Sequence, residues 1–316
     1  MRLLVTGGAG FIGSNFVVRA LSSLRDPEIT VLDSLTYAGN LDNLSQVIEQ
    51  ISFIHGDICD QGLVDDLVAS SDIVVNFAAE SHNDNSLLAP TKFFETNVLG
   101  TLSLAQACVK HGVRLHHIST DEVFGDFDLD SKEEFSIETP YSPSSPYSAS
   151  KASSDHLVRA WVRSFGLRAT ISNCSNNYGP NQHWEKLIPA TIKRIHSGKP
   201  AVVYANGANI RDWIHVDDHV DGILLALEKG TSGDTYLFGA RNRLTNLQVV
   251  SAILEAMGRP LSFIDFVEDR PGHDLRYAID PSSAEASLGW RPSHTDLLEE
   301  IPDLVDHYVA LLTDEE

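Results

Sequence analysis

A doubly wound α/β fold, a parallel sheet covered by helices on both faces and followed by a smaller C-terminal lobe, is predicted by three features of the chain. Short β-branched runs alternate with helical patterns through the first two thirds. These runs are continuously apolar, as strands buried on both faces require. A glycine-rich turn, Gly7-Gly8-Ala9-Gly10-Phe11-Ile12-Gly13, joins the first run to the first helix.

Leu3-Leu4-Val5-Thr6 reads as the first strand, and a helix follows around Gly13 to Leu24. Ile29-Thr30-Val31-Leu32 is the second strand, a third precedes Asp57-Ile58, and Ile73-Val74-Val75-Asn76-Phe77 is the fourth. A helix over Thr91 to Lys110 leads into a strand from Arg114 to Ser119, and a helix over Ser150 to Arg163 leads into Ala169-Thr170-Ile171. Strands alternating with helices imply βαβ units. From about Pro180 the alternation breaks down, and Pro189, Pro200, Pro260, Pro271, Pro281 and Pro292 punctuate shorter elements. Residues 1–178, with a return segment near 208–240, are assigned to the sheet domain, and 179–207 with 241–316 to the lobe. The acidic, Ser- and Pro-rich stretch from Asp126 to Pro146 is expected to be a mobile surface loop, and the tail from Thr313 to be frayed.

Charge narrows the functions available. Against 23 Lys+Arg stand 44 Asp+Glu, a formal net charge of -21 over 316 residues. With no run of Lys or Arg, such a chain repels nucleic acid and anionic lipid. An anionic ligand must therefore be held by a few local cations and by helix N-termini. Cys59, Cys108 and Cys174 are scattered, which argues against a disulfide framework or a structural zinc site and for a reducing compartment. The N-terminal apolar stretch is too short for a signal peptide, and no window approaches a membrane span, so the cytoplasm is the expected location.

The glycine turn is a dinucleotide cradle in its expected context. Glycines permit the tight turn and a close approach of backbone to a pyrophosphate, which sits at the helix N-terminus. Asp33 ends the next strand 20 residues after Gly13. A carboxylate there accepts from ribose hydroxyls and repels a 2′-phosphate, favouring NAD over NADP. Asp57-Ile58 and Ala78-Ala79 with Ser81 follow the third and fourth strands and fall on the same cleft.

Tyr147 and Lys151 stand four residues apart on one helix face. A phenol of pKa ~10 is a poor base at neutral pH. A neighbouring ammonium and a positive nicotinamide would stabilise the phenolate, and a drop of ~3 units represents ~4 kcal/mol. Such a phenolate can take a proton from an alcohol as hydride leaves.

Gly7-x-x-Gly10-x-x-Gly13 with Tyr147-x-x-x-Lys151 resembles the extended short-chain dehydrogenases/reductases, a Rossmann-type family acting mostly on nucleotide sugars. The likeness sharpens at Ser119-Thr120-Asp121-Glu122-Val123-Phe124-Gly125, at Tyr147 to Asp155 and at Asn176-Asn177-Tyr178-Gly179-Pro180. It continues through Glu185-Lys186-Leu187-Ile188-Pro189, Arg211-Asp212-Trp213-Ile214 and Asp269-Arg270-Pro271-Gly272-His273-Asp274. These segments span nearly the whole chain and look like the dTDP-glucose 4,6-dehydratases. The resemblance implies that Glu122 removes the C5 proton of a 4-keto sugar, that Asp121 protonates the departing 6-hydroxyl, and that Thr120 assists. It also implies NAD contacts from Ser34, Thr36, Thr96 and Ser119, and a homodimer joined by packed helices. Around the nucleotide and diphosphate it suggests Ser81, Asn176, Lys186, Leu187, Tyr204, Arg211 and Asn242, with Arg270 and His273 nearby. Arg211 is the strongest of these, as a bidentate guanidinium. Asp121 must stay protonated, which demands burial or a like-charged neighbour.

Two rival readings share part of this pattern: a nucleotide-sugar 4-epimerase, which has no task for Asp121, and a non-catalytic NAD-binding regulator, which is expected to lose Tyr147 or Lys151. Several positions depart from the family's pattern: Asn85 stands where an Arg is usual, Trp184 where a Pro is, Arg243 where an acid is, and Val202 where the nucleotide pocket often has a Pro. His215-x-x-x-His219 has metal-ligand spacing but reads as a helix start with acidic caps, so no metal is expected. His116-His117 reads as structural.

Overall fold

The computed structural model describes residues 1–314. In chain order the elements begin with β1 (Arg2–Thr6), α1 (Phe11–Ser23), β2 (Glu28–Asp33), β3 (Ser52–His55), α2 (Gln61–Ala69) and β4 (Ile73–Asn76). There follow α3 (Asn83–Leu88), α4 (Pro90–Phe94), α5 (Thr101–His111), β5 (Arg114–Thr120), α6 (Pro146–Phe165) and β6 (Ala169–Cys174). The remainder comprises β7 (Asn176–Tyr178), α7 (Leu187–His196), β8 (Ala201–Tyr204), β9 (Ile210–His215), α8 (Val216–Lys229) and β10 (Thr235–Phe238), then β11 (Arg243–Thr245), α9 (Asn246–Ala256), β12 (Ile264–Val267), α10 (Ser282–Leu288) and α11 (Leu297–Asp314).

The predicted sheet is present: seven strands in the order β10-β6-β5-β4-β1-β2-β3, every pair parallel. The chain moves outward from β1 to β3, then returns to place β4 on the other side of β1. That reversal opens a crevice at the carboxyl ends of β1 and β4, where doubly wound sheets bind ligands. Two small sheets, β11-β9-β7 and β12-β8, stand apart from the large one. Apolar side chains from both faces of the large sheet form separate cores, one around Val5, Phe16 and Val31 and the other around Leu4, Val74 and Leu115. A further core gathers α7, α9 and α11 around Tyr178, Trp213 and Tyr308. Among the described residues no helix is long and apolar enough to cross a membrane.

Three local expectations are corrected. The helix expected over Thr91 to Lys110 is α4 and α5 joined by a π-helical turn over Glu95–Gly100. This turn brings the Asn97 amide to the Glu80 carbonyl and to Ser150 Oγ on α6. The stretch from Asp126 to Pro146 is pinned, not free. Phe135 is 1% exposed and stacks on Phe124 and Phe127, while its backbone bonds Ala278 and Asp280. Full burial of such a ring is worth roughly 1.5–3 kcal/mol, which offsets the polar composition around it. At the other end of the chain α11 runs through Asp314, and the rest of the tail expected to fray lies outside the described residues.

Candidate active site

Two glycines shape the turn between β1 and α1. Gly7 adopts a left-handed φ of 70°, and a Cβ there would lie 2.6 Å from the Ala78 nitrogen. A Cβ on Gly13 would lie 2.2 Å from the Gly7 oxygen, so only glycine lets α1 pass this close. Gly10 is different. The nearest atom to an added Cβ is 3.3 Å away, and no side chain caps α1 at this residue. N–H groups left uncapped at a helix start suit an anionic diphosphate. Across the turn Asp33 accepts from Ala9 N–H at 2.9 Å and Leu35 N–H at 2.8 Å, which fixes its carboxylate at the cleft wall.

The cleft collects every residue expected to hold NAD: Gly7, Gly10, Phe11, Ile12, Gly13, Asp33, Ser34, Thr36, Asp57, Ile58, Ala78, Ala79, Ser81, Thr96, Ser119, Tyr147 and Lys151. This donor set, with acidic Asp33 and small residues at the strand ends, fits NAD.

The reacting groups meet where β5 and α6 leave the sheet. Thr120 caps the short 3-10 turn Asp121–Phe124 by accepting from Glu122 N–H at 3.3 Å, and its hydroxyl donates to Asp121 Oδ1 at 3.3 Å. α6 begins at Pro146, earlier than the sequence suggests, under a capping box of Ser145 and Ser148. That cap sets Tyr147 and Lys151 facing the cleft one helical turn apart. Asp121 is 2% exposed, and its Oδ2 has no partner among the described residues. Burial, then the charges of Glu122 and Asp212, push it well above the usual carboxylate range. Glu122 is raised by burial too, but Asn83 donates to its Oε2 at 2.8 Å and pulls the other way. Adjacent carboxyls thus sit in unequal surroundings, the arrangement that separates an acid from a base.

One sequence expectation is not met by the chain alone. Burial and the Glu122 charge push the Tyr147 phenol well above its ordinary value. Lys151 Nζ donates to the Ile118 carbonyl at 2.7 Å and faces the Asp155 carboxylate, so little of its charge is left for the phenol.

The expected nucleotide-binding residues divide. Ser81, Thr120, Asn176 and Lys186 line the cleft; Leu187, Tyr204, Arg211, Asn242, Arg270 and His273 lie beyond its lining. Lys186 Nζ donates to the Ser81 carbonyl at 3.2 Å. Arg270 bonds Asp84 at 2.8 Å, Tyr204 OH reaches the same carboxylate at 3.3 Å, and His273 lies edge-on to the Tyr204 ring. Arg211 is not an open fork: it stacks on Tyr277 at 4.2 Å and donates to the carbonyls of Ile210 and Asp274. Its charge is still felt by both Asp121 and Glu122. Asn242 donates its N–H to Asp212 at 3.1 Å and leaves Nδ2 without a partner among the described residues.

The departures from the family's pattern fall partly outside the site. Asn85 is exposed and off the cleft lining, and Arg243 pairs with Glu134 to hold the pinned loop. His215 and His219 do not act together. His219 bonds Asn177 at 2.9 Å, whereas His215 stacks on His294 at 4.0 Å beside Glu300. Rings so nearly parallel cannot both aim a nitrogen at one ion, and His215 Nδ1 already accepts Asp217 N–H. His116 is held between Thr170 and Ser172 on β6.

Sequence reasoning missed Asp155, wholly buried, which accepts from Ser119, Tyr141 and Asn173. Burial opposes its charge, but His117, Lys151 and Tyr141 outweigh it and keep its pKa low. Its signal was present in the i, i+4, i+8 spacing with Tyr147 and Lys151. The Lys92–Glu80 pair at the cleft edge, 2.6 Å apart, had no such signal.

Comparison with known proteins agrees with this geometry. Residues 4–301 match the family model described as GDP-mannose 4,6 dehydratase. A dTDP-glucose 4,6-dehydratase of Mycolicibacterium smegmatis is 56% identical over 98% of this chain and 94% of its own. DesIV of Streptomyces venezuelae, a dTDP-glucose 4,6-dehydratase crystallised with NAD, superposes with a TM-score of 0.95 at 45% identity, covering 98% of this chain and 97% of its own. A Thermus thermophilus UDP-glucose 4-epimerase, also with NAD, reaches 0.88 at 32% identity over 98% and 99% of the two chains. Fold and cofactor cleft are thus common to dehydratases and epimerases, whereas the higher identity lies with the former, and the chain belongs to the dTDP-glucose 4,6-dehydratase family of the extended short-chain dehydrogenases/reductases.

Proposed function

We propose that the protein converts dTDP-glucose to its 4-keto-6-deoxy product by removing one water. The observation that carries this reading is the buried Asp121, raised well above the usual carboxylate range, beside Glu122 and close to Tyr147. An epimerase has no use for that acid. NAD, when bound, supplies the hydride acceptor for C4, a positive charge near Tyr147, and the hydride later returned to C6.

The chain's residues do the proton work. Tyr147 takes the proton of the sugar 4-hydroxyl, with Thr120 at its oxygen and Lys151 behind it. Once C4 is a ketone the C5 proton is acidic, and the Glu122 carboxylate removes it. Asp121, kept protonated by burial and by Glu122, gives its proton to the 6-hydroxyl, which leaves as water, and Glu122 returns the proton it took to C5 once C6 is reduced. Gly7, Gly10, Gly13 and Asp33 hold the dinucleotide. Asn176, Lys186, Leu187, Tyr204, Arg211, Asn242, Arg270 and His273 supply the donors and cations that an acidic chain must concentrate to hold a nucleotide diphosphate. The dinucleotide domain in this reading is 1–178 with the return near 208–240, and the lobe 179–207 with 241–316.

The enzyme works as a homodimer in the cytoplasm. Exposed Leu88 and Leu99 beside α4 and α5 support the first, and the free cysteines Cys59, Cys108 and Cys174 the second. Light scattering should give twice the chain mass. The direct test of function is incubation with dTDP-glucose without added NAD, followed by mass spectrometry. Loss of one water with no net NADH is expected; an unchanged mass with inverted C4 would assign the protein to the epimerases.

A further inference from the structure

The side chain in direct contact with Glu122 lies 39 positions away in sequence, at the start of α3. β4 and β5 are neighbours in the sheet, and the chain leaving β4 turns back over the end of β5 at His82. Asn83 Nδ2 then donates to Glu122 Oε2 at 2.8 Å, while its Oδ1 accepts from the Ser145 hydroxyl, also at 2.8 Å. Ser145 Oγ also accepts from Ser148 N–H at 3.1 Å and lies 3.0 Å from Ser148 Oγ, whose own proton has the Ser145 carbonyl as an acceptor at 3.1 Å. With its oxygen on Ser145 and its NH2 on Glu122, the amide gives the carboxylate a donor and the Ser145 hydroxyl an acceptor. An amide so oriented can donate to a carboxylate and cannot accept from a carboxylic acid.

We propose that Asn83 is a positioning residue for the reaction, holding the Glu122 carboxylate in its base form and tying it to the cap of the helix that carries Tyr147. This rests on the reading of Glu122 as the C5 base. Asn83 separates two adjacent acids, since it bonds Glu122, while among the described residues the Asp121 side chain is bonded only by Thr120. The other groups facing Glu122 are mixed. Asp274 disfavours its charge and Arg211 and Lys186 favour it, while Asp121, Tyr147, Tyr277 and Arg270 face it and are each raised by that charge. After burial, the Asn83 hydrogen bond is the largest influence on its proton.

The test is the pH dependence of kcat for Asn83→Ala and Asn83→Asp, alongside Glu122→Gln. In Asn83→Ala the acidic limb should move up by about one pH unit, the scale of a lost hydrogen bond to a charged group. Asn83→Asp keeps the shape and the acceptor for Ser145 but sets a second carboxylate against Glu122, so its limb should move further. KM should stay within about two-fold, and the single-turnover NADH transient that reports C4 oxidation should persist. Were Asn83→Ala to misfold, the isosteric Asn83→Asp carries the test alone. If Glu122→Gln blocks dehydration while neither Asn83 variant moves the limb, the role of Asn83 is overturned and the base reading survives. If Glu122→Gln dehydrates at the parent rate, the base reading falls and the proposal falls with it.

Discussion

At the sheet end of the cleft the binding groups are backbone and small side chains at strand termini, placed by the register of seven parallel strands. At the lobe end the residues proposed to hold the nucleotide are long side chains on short strands and loops, held by bonds such as Arg270 to Asp84, Tyr204 to Asp84 and Arg211 to the Asp274 carbonyl. The first kind tolerates no change of shape, because a Cβ at Gly13 meets backbone at 2.2 Å. The second depends on side-chain partners drawn from distant segments, such as Asp84 for Arg270 and the Asp274 carbonyl for Arg211. Chemistry shared across a superfamily belongs at the rigid end, and choice of nucleotide and sugar at the other.

The largest expected effects sharpen that contrast at the rigid end. Tyr147→Phe should lose roughly 10²–10⁴ in rate and form no NADH from bound NAD, read by absorbance in a single turnover. Glu122→Gln should lose as much overall while still oxidising C4; unimpaired water loss would place the C5 base elsewhere.

Next comes acid lability, expected in the sheet half. His116 and His117 on β5 and His219 on α8 are buried and held at about 3, about 4 and about 3. Burial is the main cause in each, so the folded state resists protonation that the unfolded chain accepts near 6.5. The stability they contribute is fully present above pH 6.5 and is lost as pH falls through about 4 and then about 3. The slope is on the order of 1.4 kcal/mol per pH unit for each group. Calorimetry should show Tm falling across this range, and His116→Gln should flatten it; an unchanged slope would place acid lability elsewhere.

Phe135→Ala probes the pinned loop between the sheet domain and the lobe segment at Ala278 and Asp280. Removing this buried ring should cost roughly 3–5 kcal/mol in denaturant unfolding while NAD content of the folded protein stays normal. Loss of NAD in that variant would show that the two ends are not independent. Gly13→Ala should do the reverse, the clash of its Cβ with the Gly7 oxygen pushing α1 away from the turn and appearing as NAD lost on gel filtration with the lobe intact.

Legibility follows the same divide. Gly7, Gly10, Gly13 and Asp33 were readable because one strand–turn–helix–strand unit carries them all, and Tyr147 with Lys151 because a helix repeats every few residues. Asp121-Glu122 could be found as a dipeptide, but not the inequality of its two members, which comes from Asp212, Asp274, Arg211 and Asn83 arriving from elsewhere. Arg211 was readable as a cation beside an Asp-Trp motif, but its stacking on Tyr277 depends on how β9 meets the segment between β12 and α10. Phe135 sat in a stretch whose composition signals a free loop, and composition does not register a single aromatic docking on Phe124 and Phe127.

From the amino-acid order alone came the parallel α/β class, the dinucleotide turn, the preference for NAD and the candidates for the reacting side chains, all encoded within spans of a few dozen residues. Only the tertiary structure decided which carboxyl is deeply buried, which has a donor, and that Lys151 faces Asp155 and Ile118 more than the phenol. Proton affinities depend on desolvation and on charges a few ångströms away, and in this chain the groups that supply both are brought together across the sheet from positions up to about 150 residues apart.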